Sequence, residues 1–465
     1  MDLTSLLIHN RGWPMFLPAH SRGCALPKDL KKILSKRAGI WDLPELPDIG
    51  SPLDNDGAIS ESQKESANLF GADRAWYGVN GASGLLQAGL FSMLRPGQAV
   101  LMPRNVHRSL IHACILGDFT PVLFDVPYLP DRGHSFPPNK IWLKEVLNTL
   151  EIKGLKVSGA VLVNPTYHGY SSDISALVNM MHDFNLPVLV DEAHGTHFAY
   201  GLDKSLPRSA LIAGADLVVH SLHKSSLGLS QTAVLWSKGE LIDPDAVRRS
   251  IECFQTSSPN ALLLSSCETA LREWTRPSGE NNFLLRIREA RDLTIKLRNN
   301  GMPLLENQDP LKLILHTGLF GISGFEADTW FMSQGITAEL PEPSCLTFCL
   351  GFAPNKGFER VFQIKWNQLL HLFRDKKPFD PHIPPPLPFV SMPEMNCSSA
   401  WRAPSQSVDL NESLGKISAD LICPYPPGIP LIIPGEQLEQ ARLDWLNKQR
   451  DLWPKQIPSK MRVVS

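Results

Sequence analysis

At 465 residues the chain is too long for one ordinary hydrophobic core, so a large domain with a smaller companion is expected. Lysine and arginine (45) nearly balance aspartate and glutamate (47), and the formal net charge of −2 supplies no bulk field for nucleic acid or a membrane surface. The eight cysteines are scattered, with no Cys-x-x-Cys pair and no zinc spacing, as expected of reduced thiols in a cytoplasmic protein.

The first ten residues hold Asp2 and only a short apolar stretch, Leu6-Leu7-Ile8, which fits neither a secretory signal nor a membrane span. Residues 1–60 read as an N-terminal arm with a short helix near 28–36 and a Pro/Asp/Gly-rich loop at 43–53. Such an arm lacks a core of its own and is expected to lie on a larger body, the chain's own or a partner subunit's.

A large domain is expected over residues 61–300. Residues 61–70 read as a helix, followed by a short strand, a turn at Asn80-Gly81-Ala82-Ser83-Gly84, and a helix over 85–94. The turn is either an N-capped helix start using Ser83 or an anion site, with backbone N–H groups and the helix dipole facing a ligand. From Gly97 strands and helices alternate. Strands are expected at 99–102, 121–124, 160–163, 187–190, 216–219 and 232–236, with helices at 109–116, 141–150 and 174–184. This is βα alternation, which implies a mainly parallel sheet with helices on both faces. Ligands of such sheets bind beyond the carboxyl ends of the strands, where Asn164, Asp191, Lys224 and the turn Arg104 to Arg108 fall.

Two of those strand ends carry chemistry. The apolar run Val188-Leu189-Val190 ends at Asp191, and the run 215–220 leads into Ser221-Leu222-His223-Lys224 and a small polar loop. A lysine there is either solvated or forms a Schiff base with a cofactor aldehyde. In pyridoxal-phosphate chemistry the carboxylate keeps the pyridine nitrogen protonated, so the ring accepts electrons, while the lysine anchors the aldehyde. His107 is either a loop histidine or a flat ring for stacking on a pyridine.

Helices are expected within 251–274 and over 283–299. From residue 301 to 465 a smaller α+β C-terminal domain is expected, with strands at 311–315 and 345–350, helices at 325–333 and 357–373, and a proline-rich connection at 376–404. The segment 422–436 is stiffened by prolines and presents Glu436, either as a wrap over the core or to position a charged substrate tail.

Together these motifs resemble the Orn/Lys/Arg decarboxylase family of fold-type-I pyridoxal-phosphate enzymes, in a short form without an N-terminal wing domain. The resemblance rests on Tyr77 to Gly84, Arg104 to Ser109, Asn164-Pro165-Thr166-Tyr167-His168-Gly169, Asp191 to Gly195, Ser221 to Gln231, Ser257-Ser258-Pro259, Gly335 to Leu340 and Cys423 to Glu436. It implies an α/β, transferase-like fold with a mainly parallel seven-stranded sheet, the cofactor pyridoxal 5'-phosphate, and a homodimer or larger homo-oligomer. It implies decarboxylation of arginine, lysine or ornithine to the amine and CO2, within polyamine and amino-acid metabolism. Lys224 takes the Schiff-base position, Asp191 the partner of the pyridine nitrogen, and His107 the ring-stacking position. Ala82, Ser83, Ser221 and His223 take phosphate contacts, and His194 flanks the ring. Lys224 or His223 would return a proton to the substrate carbon, and Glu339 or Glu436 would bind the distal cation.

The chain departs from the family where Pro18-Ala19-His20-Ser21 stands in place of Pro-Gly-His-Lys, and where the phosphate turn lacks consecutive Ser/Thr residues. An aminotransferase or aldolase-like lyase of the same fold, and a non-enzymatic descendant, are the alternatives. A transaminase wants a small-domain arginine for the α-carboxylate, and none is identified.

Overall fold

The computed structural model describes residues 12–37, 39–423, 430–453 and 456–465. Seven strands between residues 74 and 237 build the central sheet: β1 Arg74–Gly78, β2 Ala99–Pro103, β3 Thr120–Phe124, β4 Ala160–Val163, β5 Val188–Asp191, β6 Leu217–Ser221 and β7 Ala233–Ser237. An eighth, the two-residue β8 Val390–Ser391, extends one edge, so the order is β8-β3-β2-β4-β5-β6-β7-β1. The sequence pattern shows the seven but not β8, which is too short for any periodicity and lies in the proline-rich connection.

Strands β3, β2, β4, β5 and β6 are mutually parallel, whereas β7 runs antiparallel to both β6 and β1. The parallel strands are continuous apolar runs because both of their faces are covered: Leu101, Leu162, Val188 and Val190 face one core cluster, and Val100, Val161, Leu189 and Leu217 the other. Crossover helices supply that cover, among them Gly81–Met93, Arg108–Gly117, Lys140–Ile152 and Ile174–Asp183. Their starts follow capping chemistry: the Asn139 side chain accepts from Trp142 N–H and that of Asp173 from Ala176 N–H.

Helix bounds differ from expectation mainly at N-termini. The helix expected from residue 61 starts at Gly57, and the one expected from 283 spans Pro277–Asn299 with its proline in the first turn, where the missing N–H costs nothing. Residues Leu222–Ser225 form a helical turn that takes in Ser225, the first residue of the expected polar loop.

A second sheet pairs Lys312–Leu315, Leu346–Cys349 and Leu340–Pro341 antiparallel, covered by helices Gly324–Ser333 and Phe358–Leu372. Ser323 and Glu326 form a reciprocal capping box at the first of these helices. Further on, Ser405–Asp409 pairs with Lys460–Val464 beside helix Gln440–Gln449. The Pro-Tyr-Pro-Pro-Gly-Ile portion of the family signature, residues 424–429, lies outside the described residues.

The arm lies on its own chain. Trp13–Pro14 pairs in parallel with Ile336–Thr337, and Ala19 N–H donates to His223 O at 2.8 Å. Ala19 O in turn accepts from Phe352 N–H at 3.0 Å. A Cβ on Gly351 would stand 2.5 Å from Ala19 O, so the arm can lie this close only over a glycine. All eight cysteines are free, and no helix among the described residues is long and apolar enough to cross a membrane.

Candidate active site

The carboxyl ends of β5 and β6, neighbours in the sheet, open on a cavity of about 270 Å3. Asp191 is the last residue of β5, and Lys224 follows β6 by one helical turn. The cavity brings together Ala82, Ser83, His107, Asp191, His194, Ser221, His223 and Lys224. These eight come from four separate stretches of sequence.

Strand alternation decides which of two consecutive acids faces the cavity. Glu192 turns into the protein, where its carboxylate accepts from Ala210 N–H at 2.9 Å and from Ser209 Oγ at 2.5 Å. His220 completes that cluster. Its Nδ1 accepts from Trp236 Nε1–H at 2.9 Å, so its proton resides on Nε2 and is donated to Glu192 Oε2 at 2.7 Å. Asp191, by contrast, accepts from Ala193 N–H at 3.1 Å and otherwise faces the cavity. Burial raises its pKa, while the positive charge of Lys224 opposes the rise.

The Lys224 Nζ stands 3.2 Å from His194 Nε2. Burial lowers the lysine's pKa, partly offset by Asp191. Burial likewise holds His194 well below the usual imidazole range, reinforced by Lys224 and Lys312. His107 and His223 are each brought down to about 4, first by burial and then by the Lys224 charge. The imidazoles of His107, His194 and His223 are therefore neutral beside Lys224 at neutral pH.

His107 caps helix Arg108–Gly117, with its Nδ1 accepting from Ser109 N–H at 3.3 Å. At helix Gly81–Met93 the cap residue Asn80 leaves the first turn alone, because its Nδ2 donates sideways to Phe254 O at 2.9 Å. Gly81 N–H is taken by Gln231 O at 2.9 Å, so it is Ala82 and Ser83 of that turn that line the cavity without a side-chain cap. On the far side Ser221 Oγ is 3.3 Å from His223 Nδ1.

The two acids expected to meet a substrate cation are placed otherwise. Glu436 is buried against arginines, 2.7 Å from Arg104 Nη2 and 3.1 Å from Arg442 Nη1, and also accepts from Ile433 N–H at 2.9 Å. These partners satisfy the carboxylate within the chain, so Glu436 is not offered to a substrate. Glu339 stands behind the cavity wall: one oxygen accepts from Leu17 N–H of the arm at 2.8 Å and the other from the Tyr167 hydroxyl. It is Tyr167 that lines the cavity, with its ring 4.5 Å from that of His194.

Two residues at the site, Tyr167 in the wall and Lys312 behind His194, were not singled out as site residues from sequence. Tyr167 lies in a quoted motif, but nothing in its spacing points to the cavity. Lys312 lies in a buried strand, with Nζ 3.1 Å from Cys349 Sγ and 3.5 Å from His194 Nδ1. The available signal was a single lysine inside an otherwise apolar run.

Residues 15–302 match the family model for the Orn/Lys/Arg decarboxylase major domain, and residues 387–458 match that for the C-terminal domain of the same family. The arginine decarboxylase of Bacillus anthracis is 28% identical over 483 residues, spanning 99% of this chain and 95% of that protein. That of Bacillus subtilis is 27% identical, spanning 94% and 90%. Among solved structures, the Escherichia coli constitutive lysine decarboxylase superposes with a TM-score of 0.77 at 18% identity, covering 91% of this chain and 75% of that one. Lysine decarboxylase A of Pseudomonas aeruginosa gives 0.77 at 18%, covering 93% and 75%. At such identity these superpositions establish the fold, an α/β architecture with a large, mostly parallel sheet.

Proposed function

The chain belongs to the Orn/Lys/Arg decarboxylase family, and we propose that it removes the α-carboxylate of a basic amino acid as CO2, using pyridoxal 5'-phosphate. One observation carries the reading: Lys224 and Asp191 face a single buried cavity from the ends of adjacent strands.

The donor set fits the cofactor. A buried carboxylate beside a lysine of lowered pKa needs a further cation, and a protonated ring nitrogen supplies one to Asp191. The uncapped turn at Ala82 and Ser83, with Ser221 and His223, suits a phosphate. When bound, pyridoxal phosphate supplies an aldehyde for amines and an electron sink for the carbon that loses its carboxylate.

The protein's own residues do the rest. Lys224, with its proton loosened by burial, offers an unprotonated amine at neutral pH more readily than a surface lysine. His107, held neutral, presents a flat face without adding a competing charge. Asp191 fixes a negative charge in a dry site, where it acts more strongly than in water. Proton return to the substrate carbon falls to Lys224 Nζ, with His194 Nε2 at 3.2 Å as its exchange partner. Tyr167, held by Glu339, closes the wall opposite.

Arginine is the first substrate to test, because relatives matching nearly the whole chain carry that activity in their names. Lysine and ornithine follow. Purified protein with pyridoxal phosphate is incubated with each, and CO2 and amine are measured against Lys224→Ala. Cofactor bound through Lys224 but no CO2 from any of the three would refute the decarboxylase reading and leave an aminotransferase or lyase. The reading also carries a cytoplasmic setting, which the eight free thiols favour. It further carries a homodimeric assembly, to be tested by sedimentation.

A further inference from the structure

A second lysine is buried behind His194. Lys312 opens the strand Lys312–Leu315 of the second sheet. The polar atoms it touches are a thiol and an imidazole: its Nζ lies 3.1 Å from Cys349 Sγ and 3.5 Å from His194 Nδ1. The Tyr167 ring centroid is 5.3 Å away on another side. Burial opposes the charge, but the Cys349 sulfur, Asp309 and Glu339 outweigh it and raise the pKa, so Lys312 is an ammonium at neutral pH. A buried cation held without a carboxylate in contact is costly and wants an account.

One imidazole therefore stands between two lysines. His194 Nε2 faces Lys224 Nζ at 3.2 Å, and its Nδ1 faces Lys312. The ring is neutral and carries a single proton. An ammonium has three donors and no acceptor. At 3.5 Å the Lys312 contact is long for a hydrogen bond, yet its charge still decides which ring nitrogen is bare. A lone pair on Nδ1 is attracted to that charge, whereas an N–H there would point at a cation.

We propose that Lys312 is a positioning residue: it holds the ring proton of His194 on Nε2, so that Lys224 meets an N–H and is kept as the free amine. An ammonium on Lys224 needs a bare Nε2, and so a proton on Nδ1 directed at Lys312. A neutral imidazole accepts from one of the two lysines, not both. The other groups around Lys224 do not impose this. Asp191, Glu339 and the Cys349 sulfur favour its ammonium, and His107 and His223 are uncharged. The inference rests on the reading of Lys224 as the residue that takes the cofactor aldehyde, and it names what keeps that amine available.

The test reads the tautomer directly. The full chain, deuterated and labelled with 15N in histidine, is observed without cofactor by long-range 1H–15N correlation at pH 7, with His194→Gln assigning the ring signals. Wild type is expected to carry the His194 proton on Nε2. Lys312→Met keeps the side-chain stem and removes the charge, and near-ultraviolet circular dichroism confirms its fold. In this variant the proton is expected to move to Nδ1. Capture of pyridoxal phosphate, in which the amine condenses with the aldehyde and releases water, is expected to slow about ten-fold at pH 7, its pH profile moving up by about one unit. A wild-type proton on Nδ1 overturns the proposal. So does an unchanged tautomer in folded Lys312→Met, even with a shifted profile, because loss of a nearby charge alone explains that shift. If the variant does not fold, the wild-type tautomer decides: Nε2–H supports the proposal and Nδ1–H overturns it. A wild type that never captures the cofactor through Lys224 refutes the reading of the site instead, while the tautomer still decides the role of Lys312.

Discussion

The Lys224 ammonium has His194 Nε2, at 3.2 Å, as its hydrogen-bonding neighbour, while the carboxylate of Asp191 acts on it through space across the cavity. A buried lysine so placed is poised to lose its proton rather than hold it. Lys224→Ala is therefore expected to abolish CO2 release, by at least about a thousand-fold, and to remove the absorbance of covalently held cofactor. Circular dichroism should remain native.

Asp191→Asn keeps the shape of the side chain and removes its charge. The expected result is a fall in kcat of about 100- to 1000-fold with cofactor still attached at Lys224. Single-turnover kinetics with the cofactor's absorbance as monitor separates this from loss of binding.

Acid should destabilise the cofactor-free protein before it touches surface carboxylates. His107 and His223 have pKa values near 4 in the folded chain against 6.5 when exposed, so the unfolded state binds more protons between those limits. Stability thus rises with pH from about 4 to 6.5 and is indifferent to these groups above that, each histidine contributing up to about 3 kcal/mol. Urea unfolding at pH 5 and pH 7.5 measures the difference. Equal midpoints would contradict the buried, neutral placement.

Glu436→Gln leaves Arg104 and Arg442 buried beside an uncharged amide. A loss of about 3–5 kcal/mol in urea unfolding is expected, with KM changed by less than a few-fold. A selective rise in KM at unchanged stability would restore Glu436 to the substrate.

Tyr167 and Glu339 should behave as one unit. Tyr167→Phe and Glu339→Gln each lower kcat/KM, and the double variant is expected to cost little more than either single. Additive losses would separate their roles.

The central sheet was readable because strands covered on both faces must be apolar throughout, as in Val100-Leu101-Met102 and Val161-Leu162-Val163. Lys224 and Asp191 were readable because polar chemistry appears where such runs stop. For Glu436 the two alternatives stayed open, because a lone acid among prolines gives no hint of Arg104, 332 residues earlier. Tyr167, in the cavity wall, and Lys312, behind His194, escaped for the same reason, since each comes from a segment whose own pattern is complete without it. Between Asp191 and Glu192, strand alternation turns Glu192 inward, where Ser209, Ala210 and His220 hold its carboxylate.

The arm's pairing with Ile336–Thr337 also dictates an order of events during synthesis. Leu17 is made near the start, but its acceptor on Glu339 follows 322 residues later. At ribosomal rates of about 5–20 residues per second, the arm waits roughly 16–64 s for that carboxylate. By then the Lys224 segment has already emerged, so the arm closes over a pocket whose catalytic strands are in place. A nascent chain arrested before residue 336 would carry its lysine and aspartate yet leave residues 13–17 without their partners and open to protease.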